Sequence, residues 1–218
     1  MILSYAITVC NESKDLYSLI SFLKKVKDSE DEINVLVDTA HVSPQVLKVV
    51  EHFKTDIVVN ERSFCGNFSD HRNYHISKCK GDYIFSIDPD EMPQEKLIKN
   101  IKQIITQSDA DLLYVPRMNI HPGSTQEWLD KFSFRVNEVG WINWPDYTPR
   151  VFKTNVGIVY TNKLHEVLSC TGRKMNIPAD PSVALWHIKS IEKQSNRWDQ
   201  KTFEYVSPTG GNLYDSLM

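Results

Sequence analysis

Gly81-Asp82-Tyr83-Ile84-Phe85-Ser86-Ile87-Asp88-Pro89-Asp90-Glu91 is a short apolar run that ends abruptly in three acids. Tyr83 to Ile87, aromatic and β-branched behind a glycine, reads as a strand covered on both faces of a parallel sheet. Ligands of open α/β sheets bind where strands emerge at their carboxyl ends, which is where Asp88, Asp90 and Glu91 fall. Crowded carboxylates repel one another unless a cation sits among them. Oxygen ligands suit a hard ion, Mg²⁺ or Mn²⁺, with coordination sites left for a diphosphate. A solvated acidic turn ahead of a helix opening near Pro93 is the other reading, and both stand open on these eleven residues alone.

The 218 residues are enough for one sizeable core, and the reading is one domain. An apolar fraction of 41 % with charges of both signs interspersed excludes a disordered chain, and a net charge of -3 does not advertise a nucleic-acid binder. Cys10, Cys65, Cys79 and Cys170 show neither zinc spacing nor a disulfide framework, so a reducing, cytoplasmic setting is expected. The first residues lack a basic n-region and a cleavage site, and no apolar run reaches the ~18 residues of a membrane span. They read as a first strand.

Outward from the acidic stretch, the chain alternates strand and helix. Ile2 to Val9 is a strand, with Ser13 expected to cap a helix carrying Leu16, Leu19, Ile20 and Leu23 at helical spacing. Ile33 to Val37 follows, ended by Asp38, and Ser43-Pro44 opens a second helix with Leu47, Val50 and Phe53 as its buried side. Ile57 to Val59 closes the unit. Ser69 is expected to cap a helix holding Arg72, Asn73 and His75, which Gly81 ends. Pro93 opens a helix with Leu97, Ile101, Ile104 and Ile105 as its core stripe, and Asp111 to Ile120 is a strand. Residues 121 to 147 read as irregular, Ser182 to Lys189 as a late strand, and Ile191 to Tyr205 as a last helix. The expected fold is α/β: a single doubly wound, mostly parallel, Rossmann-like sheet with helices on both faces.

Neither Gly-x-Gly-x-x-Gly nor Gly-x-x-x-x-Gly-Lys-Ser/Thr occurs. A nucleotide would therefore be met by other polar groups at strand ends, with Thr8, Asn11, Glu12 and Asp38 as candidates. An Arg and an Asn near a helix start, Arg72 and Asn73, are placed to meet a phosphate or a ribose.

The set Phe68-Ser69-Asp70-His71-Arg72-Asn73, Gly81-Asp82-Tyr83-Ile84 and Asp88-Pro89-Asp90-Glu91 resembles the central motifs of family 2 glycosyltransferases with the GT-A fold. Within that family it is most similar to the branch of lipopolysaccharide-core glucosyltransferases and peptide S-glycosyltransferases. Asn11-Glu12, Pro149-Arg150-Val151-Phe152-Lys153 and Leu164-His165-Glu166 fit the same branch, so the likeness runs from Ile2 to Val167. Thr39-Ala40-His41 after Asp38, and Pro89 inside the acidic motif, depart from the usual pattern. The resemblance implies transfer of a sugar from a nucleotide-diphosphate donor. It gives Asp88 and Asp90 to Mn²⁺ or Mg²⁺ on the diphosphate, Asp38 to the base or ribose, and Arg72 to the diphosphate, with Asp88 also counted on the donor side. His187, late in the chain, is the expected third metal ligand.

An inverting transfer needs a general base near the acceptor hydroxyl. Glu166 is the first candidate, Asp146 the second and Glu91 a third. Trp128, Trp144 and His165 are expected on the acceptor side, since sugar faces and nucleobases stack on aromatic rings. The domain reading is 1–206, with 1–91 as the nucleotide-sugar half, 92–206 as the acceptor half and 207–218 as a tail. The acceptor is left as a saccharide, a peptide or a hydroxylated nucleic-acid base, the last served by Lys193, Arg197 and Lys201 if they line a groove. Two other readings of the fold are a sugar-1-phosphate nucleotidyltransferase and an inactive nucleotide-sugar-binding scaffold.

Overall fold

The computed structural model describes residues 1–189 and Ile191. The expected last helix, with Lys193, Arg197 and Lys201, and the tail 207–218 lie outside the described residues. The chain runs β1 (Leu3–Val9), α1 (Ser13–Val26), β2 (Glu32–Asp38), α2 (Pro44–His52), β3 (Val58–Arg62), α3 (Phe68–Ile76) and β4 (Tyr83–Ile87). It continues through β5 (Glu91–Pro93), α4 (Glu95–Ser108), β6 (Leu112–Ile120), α5 (Gln126–Lys131), β7 (Ile142–Lys153), β8 (Val159–Thr161), β9 (Val167–Ser169), β10 (Lys174–Asn176) and β11 (Leu185–Ile188).

The main sheet has the order β3-β2-β1-β4-β7-β6-β11-β5, with β10 beside β6, while β8 and β9 form a separate hairpin. Strands β1 to β4 pair in parallel, β7 runs antiparallel to β4 and β6, and β5 runs antiparallel to β11. After β1 the chain winds outward through β2 and β3, then returns to lay β4 on the other side of β1. The order therefore reverses between β1 and β4, which is where an open α/β sheet leaves a crevice.

Alternation along the strands divides the core. Tyr5, Ile7, Val9, Phe85 and Ile87 pack with Leu16, Leu19, Ile20 and Leu23 of α1 and Leu97, Ile98, Ile101 and Ile105 of α4. Ala6, Ile84, Leu112 and Phe152 turn to the opposite face, against Tyr160 and Leu168 of the hairpin and Ile76 of α3. Helices thus cover both faces, as the strand pattern predicts.

Beside β1 and β2 that second face is polar. On α3, His75 accepts from the Thr8 hydroxyl at Nδ1 (3.0 Å), and its Nε2 meets the backbone and side-chain oxygens of Asn34 (both 3.2 Å). With only acceptors at Nε2, that nitrogen carries the proton and the ring is neutral. Burial lowers the His75 pKa to about 3, and burial lowers that of His121 to about 4. Both values lie below the unfolded ~6.5, so as pH falls through that value the unfolded chain takes protons that the folded chain refuses. The stability is complete above pH ~6.5 and drains at up to ~1.4 kcal/mol per histidine per pH unit below it. The thermal midpoint is expected to hold at neutral pH and to fall between about pH 6.5 and 5; a flat midpoint over that window would contradict the assignment.

Several local expectations shift. Glu12, not Ser13, occupies the N-cap of α1, and its carboxylate turns back to Cys10 N and Asn11 N (3.3 and 3.0 Å). Asn67, not Ser69, caps α3 by accepting from Asp70 N at 3.2 Å. On α2, Ser43 caps as expected, but Val46 is the buried residue and Leu47 is 45 % exposed. Pro93 ends β5 rather than opening α4, and residues 121–147, which looked irregular, contain α5 and the start of β7. Ser182 lies in a 3₁₀ turn (Pro181–Val183) that precedes β11.

Gly81 does not end α3, which stops at Ile76; it lets the chain pass against β1. A Cβ there would stand 2.6 Å from Ser4 N and 2.8 Å from Tyr83 O, both backbone atoms that cannot swing aside. Gly81→Ala is expected to cost about 2–3 kcal/mol and to lower the thermal midpoint by roughly 5–10 °C. An unchanged melt would show that this approach is looser than drawn.

Candidate active site

The crevice between β1 and β4 is a cleft open to solvent, with a cavity volume of about 100 Å³. Thr8, Val9, Cys10 and Glu12 line it from the end of β1, Asp38 from β2, and Asp88, Pro89 and Asp90 from β4. Phe64, Phe68, His71 and Arg72 close it from the α3 side. Of the expected donor-side residues, Thr8, Glu12, Asp38, Arg72 and Asp88 meet here. Asn11 lies in the adjoining turn. Asn73 does not face the cleft: its amide bonds both backbone groups of Tyr160 (2.8 Å each) and pins β8 onto α3.

Asp38 is held on both oxygens. Oδ1 accepts from Ala40 N (3.0 Å) and Phe64 N (2.9 Å), and Oδ2 lies 2.6 Å from His41 Nδ1. The unusual Thr39-Ala40-His41 segment thus builds the turn that fixes this carboxylate.

The acidic stretch is built differently from its expectation. Asp88 Oδ1 accepts from Arg72 Nη2 (2.8 Å), and Oδ2 from Arg150 Nη2 (2.6 Å). Glu91, 1 % exposed, takes Arg150 Nη2 (2.5 Å) and Arg117 Nη1 (3.0 Å) on Oε1, and Asp88 N (3.2 Å) on Oε2. Arg117 also reaches Asp146 Oδ2 (2.6 Å from Nη2), and Arg72 reaches Glu166 Oε1 (2.7 Å from Nε). Burial would raise the Asp88 pKa, but the guanidiniums of Arg150 and Arg72 overcome it and hold the carboxyl well below the usual range. Five carboxylates face four fixed cations: Arg72, Arg117, Arg150 and Lys189. Repulsion among the acids is therefore answered mainly by the protein's own guanidiniums, and the crowding does not by itself call for a metal. Asp88, expected as a metal ligand, has both oxygens committed to arginines.

Asp90 meets a different pair of residues. Its Oδ2 lies 3.7 Å from His187 Nε2 and 3.8 Å from Lys189 Nζ, both from the end of β11. The protonation of His187 follows from its neighbours. Burial raises the Asp146 pKa, yet Arg117 and Asn119 outweigh it, so Asp146 is ionised and can only accept. Asn119 must then present its amide nitrogen to Asp146 (2.8 Å) and its oxygen to His187 Nδ1 (2.7 Å). His187 Nδ1 carries the proton, and burial lowers the ring's pKa despite Asp90, so the Nε2 lone pair turns toward the Asp90 carboxylate. A neutral imidazole oriented by an outer hydrogen bond, beside a carboxylate, is the donor set of a divalent cation. Asp90 and His187 fit such an ion; among the described residues, no group of three or more His, Cys, Asp or Glu forms a complete site.

The remaining expected residues are dispersed. Trp128 belongs to an aromatic cluster with Phe132 and Phe134 (ring centroids 5.1 and 5.4 Å). His121 links that cluster to His187, at 5.4 Å from Trp128 and 6.3 Å from His187. Trp144 packs on Trp141 at 5.2 Å. His165 is exposed with φ +55°, next to Glu166 but not among the residues lining the cleft. Sequence reasoning missed Arg150 and Lys189 as members of the site. Their signal was arithmetic: so many acids at one strand end need buried cations.

The chain matches the family model described as Glycosyl transferase family 2 over residues 4–174. No curated protein matches it. Among solved structures, S. aureus TarS 1-349 in complex with UDP aligns with a TM-score of 0.59 at 15 % identity, over 87 % of this chain and 61 % of that one. The complex of the same fragment with UDP-GlcNAc gives 0.57 at 14 %, over 87 % and 59 %. The chain spans less than two thirds of these structures, and at such identity the likeness is one of fold. No helix among the described residues is long and apolar enough to cross a membrane.

Proposed function

The chain belongs to glycosyl transferase family 2, and from that premise we propose that it moves a sugar from a nucleoside-diphosphate donor to an acceptor hydroxyl, with inversion and with a divalent cation. The observation that carries this reading is the cleft at the β1/β4 reversal, lined by Thr8, Asp38, Asp88 and Asp90. UDP is the first donor nucleotide to try, since the TarS fragment of similar fold is seen with UDP and with UDP-GlcNAc.

In this reading Asp38 and Thr8 receive the nucleoside, and Asp90 and His187 hold Mn²⁺ or Mg²⁺. When bound, the ion stabilises negative charge on the departing diphosphate as a Lewis acid. Arg72 and Arg150 orient Asp88, and Arg72 also lines the cleft. Glu91 is too enclosed to meet an acceptor and serves to position Arg117 and Arg150. The proton of the acceptor hydroxyl goes to Glu166, whose carboxylate shares Arg72 with Asp88 and so stands beside the donor cleft. Asp146 is the second reading, favoured by its greater exposure, 30 % against 18 % for Glu166. Glu166→Gln is expected to lower kcat by about 10²–10⁴-fold with donor binding unchanged. A native rate in that variant, with a loss in Asp146→Asn, would hand the role to Asp146.

The cluster of Trp128, Phe132 and Phe134, joined to His187 through His121, supports an acceptor with a flat or ring-shaped face on that side. A saccharide fits this best, ahead of a peptide or a hydroxylated base. A reducing, cytoplasmic setting belongs to the same reading. The test is thermal stability against UDP-, GDP-, CDP- and TDP-sugars, each with Mn²⁺, Mg²⁺ or chelator. A ligand at about a hundred times its Kd adds ~2.7 kcal/mol, a rise of roughly 5–10 °C. A rise with one nucleotide family, lost with chelator, is the expected result; no rise with any donor would overturn the proposal.

A further inference from the structure

His71 lies on α3 one turn before His75, and the contrast between these two histidines is informative. Both are buried, at 5 % and 3 % exposure. His75 has partners on both nitrogens, whereas neither Nδ1 nor Nε2 of His71 has a hydrogen-bond partner in the protein. Buried polar atoms without partners are rare, and a complete imidazole lacking them is a group built to meet something else. His71 lines the donor cleft, and its ring stands edge-on to Phe64 at 5.5 Å. Phe64 in turn packs on Phe68 at 4.6 Å and gives its backbone N–H to Asp38. A polar ring, an apolar wall and a fixed carboxylate therefore converge at the end of the cleft away from His187.

We propose that His71 is a specificity-determining residue of this cleft, hydrogen-bonding the polar edge of the donor's nucleobase while Phe64 covers a face of that base. The inference rests on the donor-site reading above and adds to it the group that reads the base. A planar heterocycle with ring nitrogens and carbonyls at its edge satisfies the imidazole that the protein leaves unsatisfied. Burial holds the His71 pKa below the ordinary histidine value; Asp38 and Asp70 pull it up, and Arg62 and Arg72 push it down. The ring is neutral at neutral pH, with one N–H to donate and one lone pair to accept.

The test compares a ligand that has a base with one that has none, using UDP and inorganic pyrophosphate, each with Mn²⁺, titrated calorimetrically into the full chain. His71→Phe keeps a buried ring and removes both nitrogens; it is expected to weaken UDP about tenfold or more while changing pyrophosphate less than about twofold. His71→Gln, which keeps a donor and an acceptor, is expected to recover most of the loss and serves if the phenylalanine variant does not fold. A readout on the native protein is the ring-nitrogen resonances of His71, which move on saturation with UDP but not with pyrophosphate. Equal UDP affinity in wild type and His71→Phe, a parallel loss for both ligands, or unmoved resonances would overturn the proposal. If wild type binds none of UDP, GDP, CDP or TDP, the donor-site reading falls, and this inference with it.

Discussion

Asp90→Asn is expected to lower sugar transfer by about 10³-fold, and to lower the thermal midpoint as well because it takes a carboxylate from the buried Lys189. The substitution keeps the shape of the side chain and removes only its charge. Asp90 contacts His187 on β11 and Lys189 just after it, while Asp88 and Glu91 are held by Arg72, Arg117 and Arg150. The His187 tautomer is also retained, since it is set from the other side through Asn119 and Asp146. What is lost is the carboxylate that would join the Nε2 lone pair in holding a cation. The loss should appear in kcat and in metal-dependent donor affinity together, with little residual response to Mn²⁺. Turnover within a few-fold of wild type would assign the cation elsewhere, or to no cation at all.

Arg150→Met is expected to be the most damaging single change to stability. Arg150 is 8 % exposed and bridges Asp88 and Glu91 through one nitrogen at 2.6 and 2.5 Å. Methionine fills most of the space but leaves Glu91, itself fully buried, with Arg117 as its remaining cation. Removing one partner of a buried ion pair typically costs ~3–5 kcal/mol, because the surviving charge is left uncompensated. In a chain of this size that is a fall of roughly 10 °C or more in the thermal midpoint. Arg150→Met combined with Glu91→Gln should recover part of the loss, since the double change removes the stranded charge. A double variant as unstable as the single one would show that packing, not charge, holds this corner.

The parts of the molecule visible in the sequence are those governed by neighbours in the chain. Leu16, Leu19, Ile20 and Leu23 announce α1 by spacing, Ser43-Pro44 announces the start of α2, and Tyr83 to Ile87 announces the strand that delivers the acids. What escaped depends on distant partners. β7 carries Trp144, Pro145 and Pro149 and reads as a loop, yet it is a twelve-residue strand held on both sides by β4 and β6. Its antiparallel run is what brings Arg150 and Asp146 to the acids, so Arg150 was hidden as a cation of the site together with the strand. The caps of α1 and α3 were misplaced by one or two residues because Glu12 and Asn67 compete locally with the serines that follow. Asp88 and Asp90 were legible as a pair, but not their division of labour. That division depends on which of them the arginines reach.

In the proposed donor cleft, Asp90 and His187 would hold the cation. The most direct measurement is calorimetric titration of UDP into wild type and Asp90→Asn, each with Mn²⁺ and with chelator. Saturable binding to wild type that needs Mn²⁺, and is weakened at least tenfold by either chelator or the substitution, is the predicted result. UDP affinity that is the same in all four titrations would contradict it.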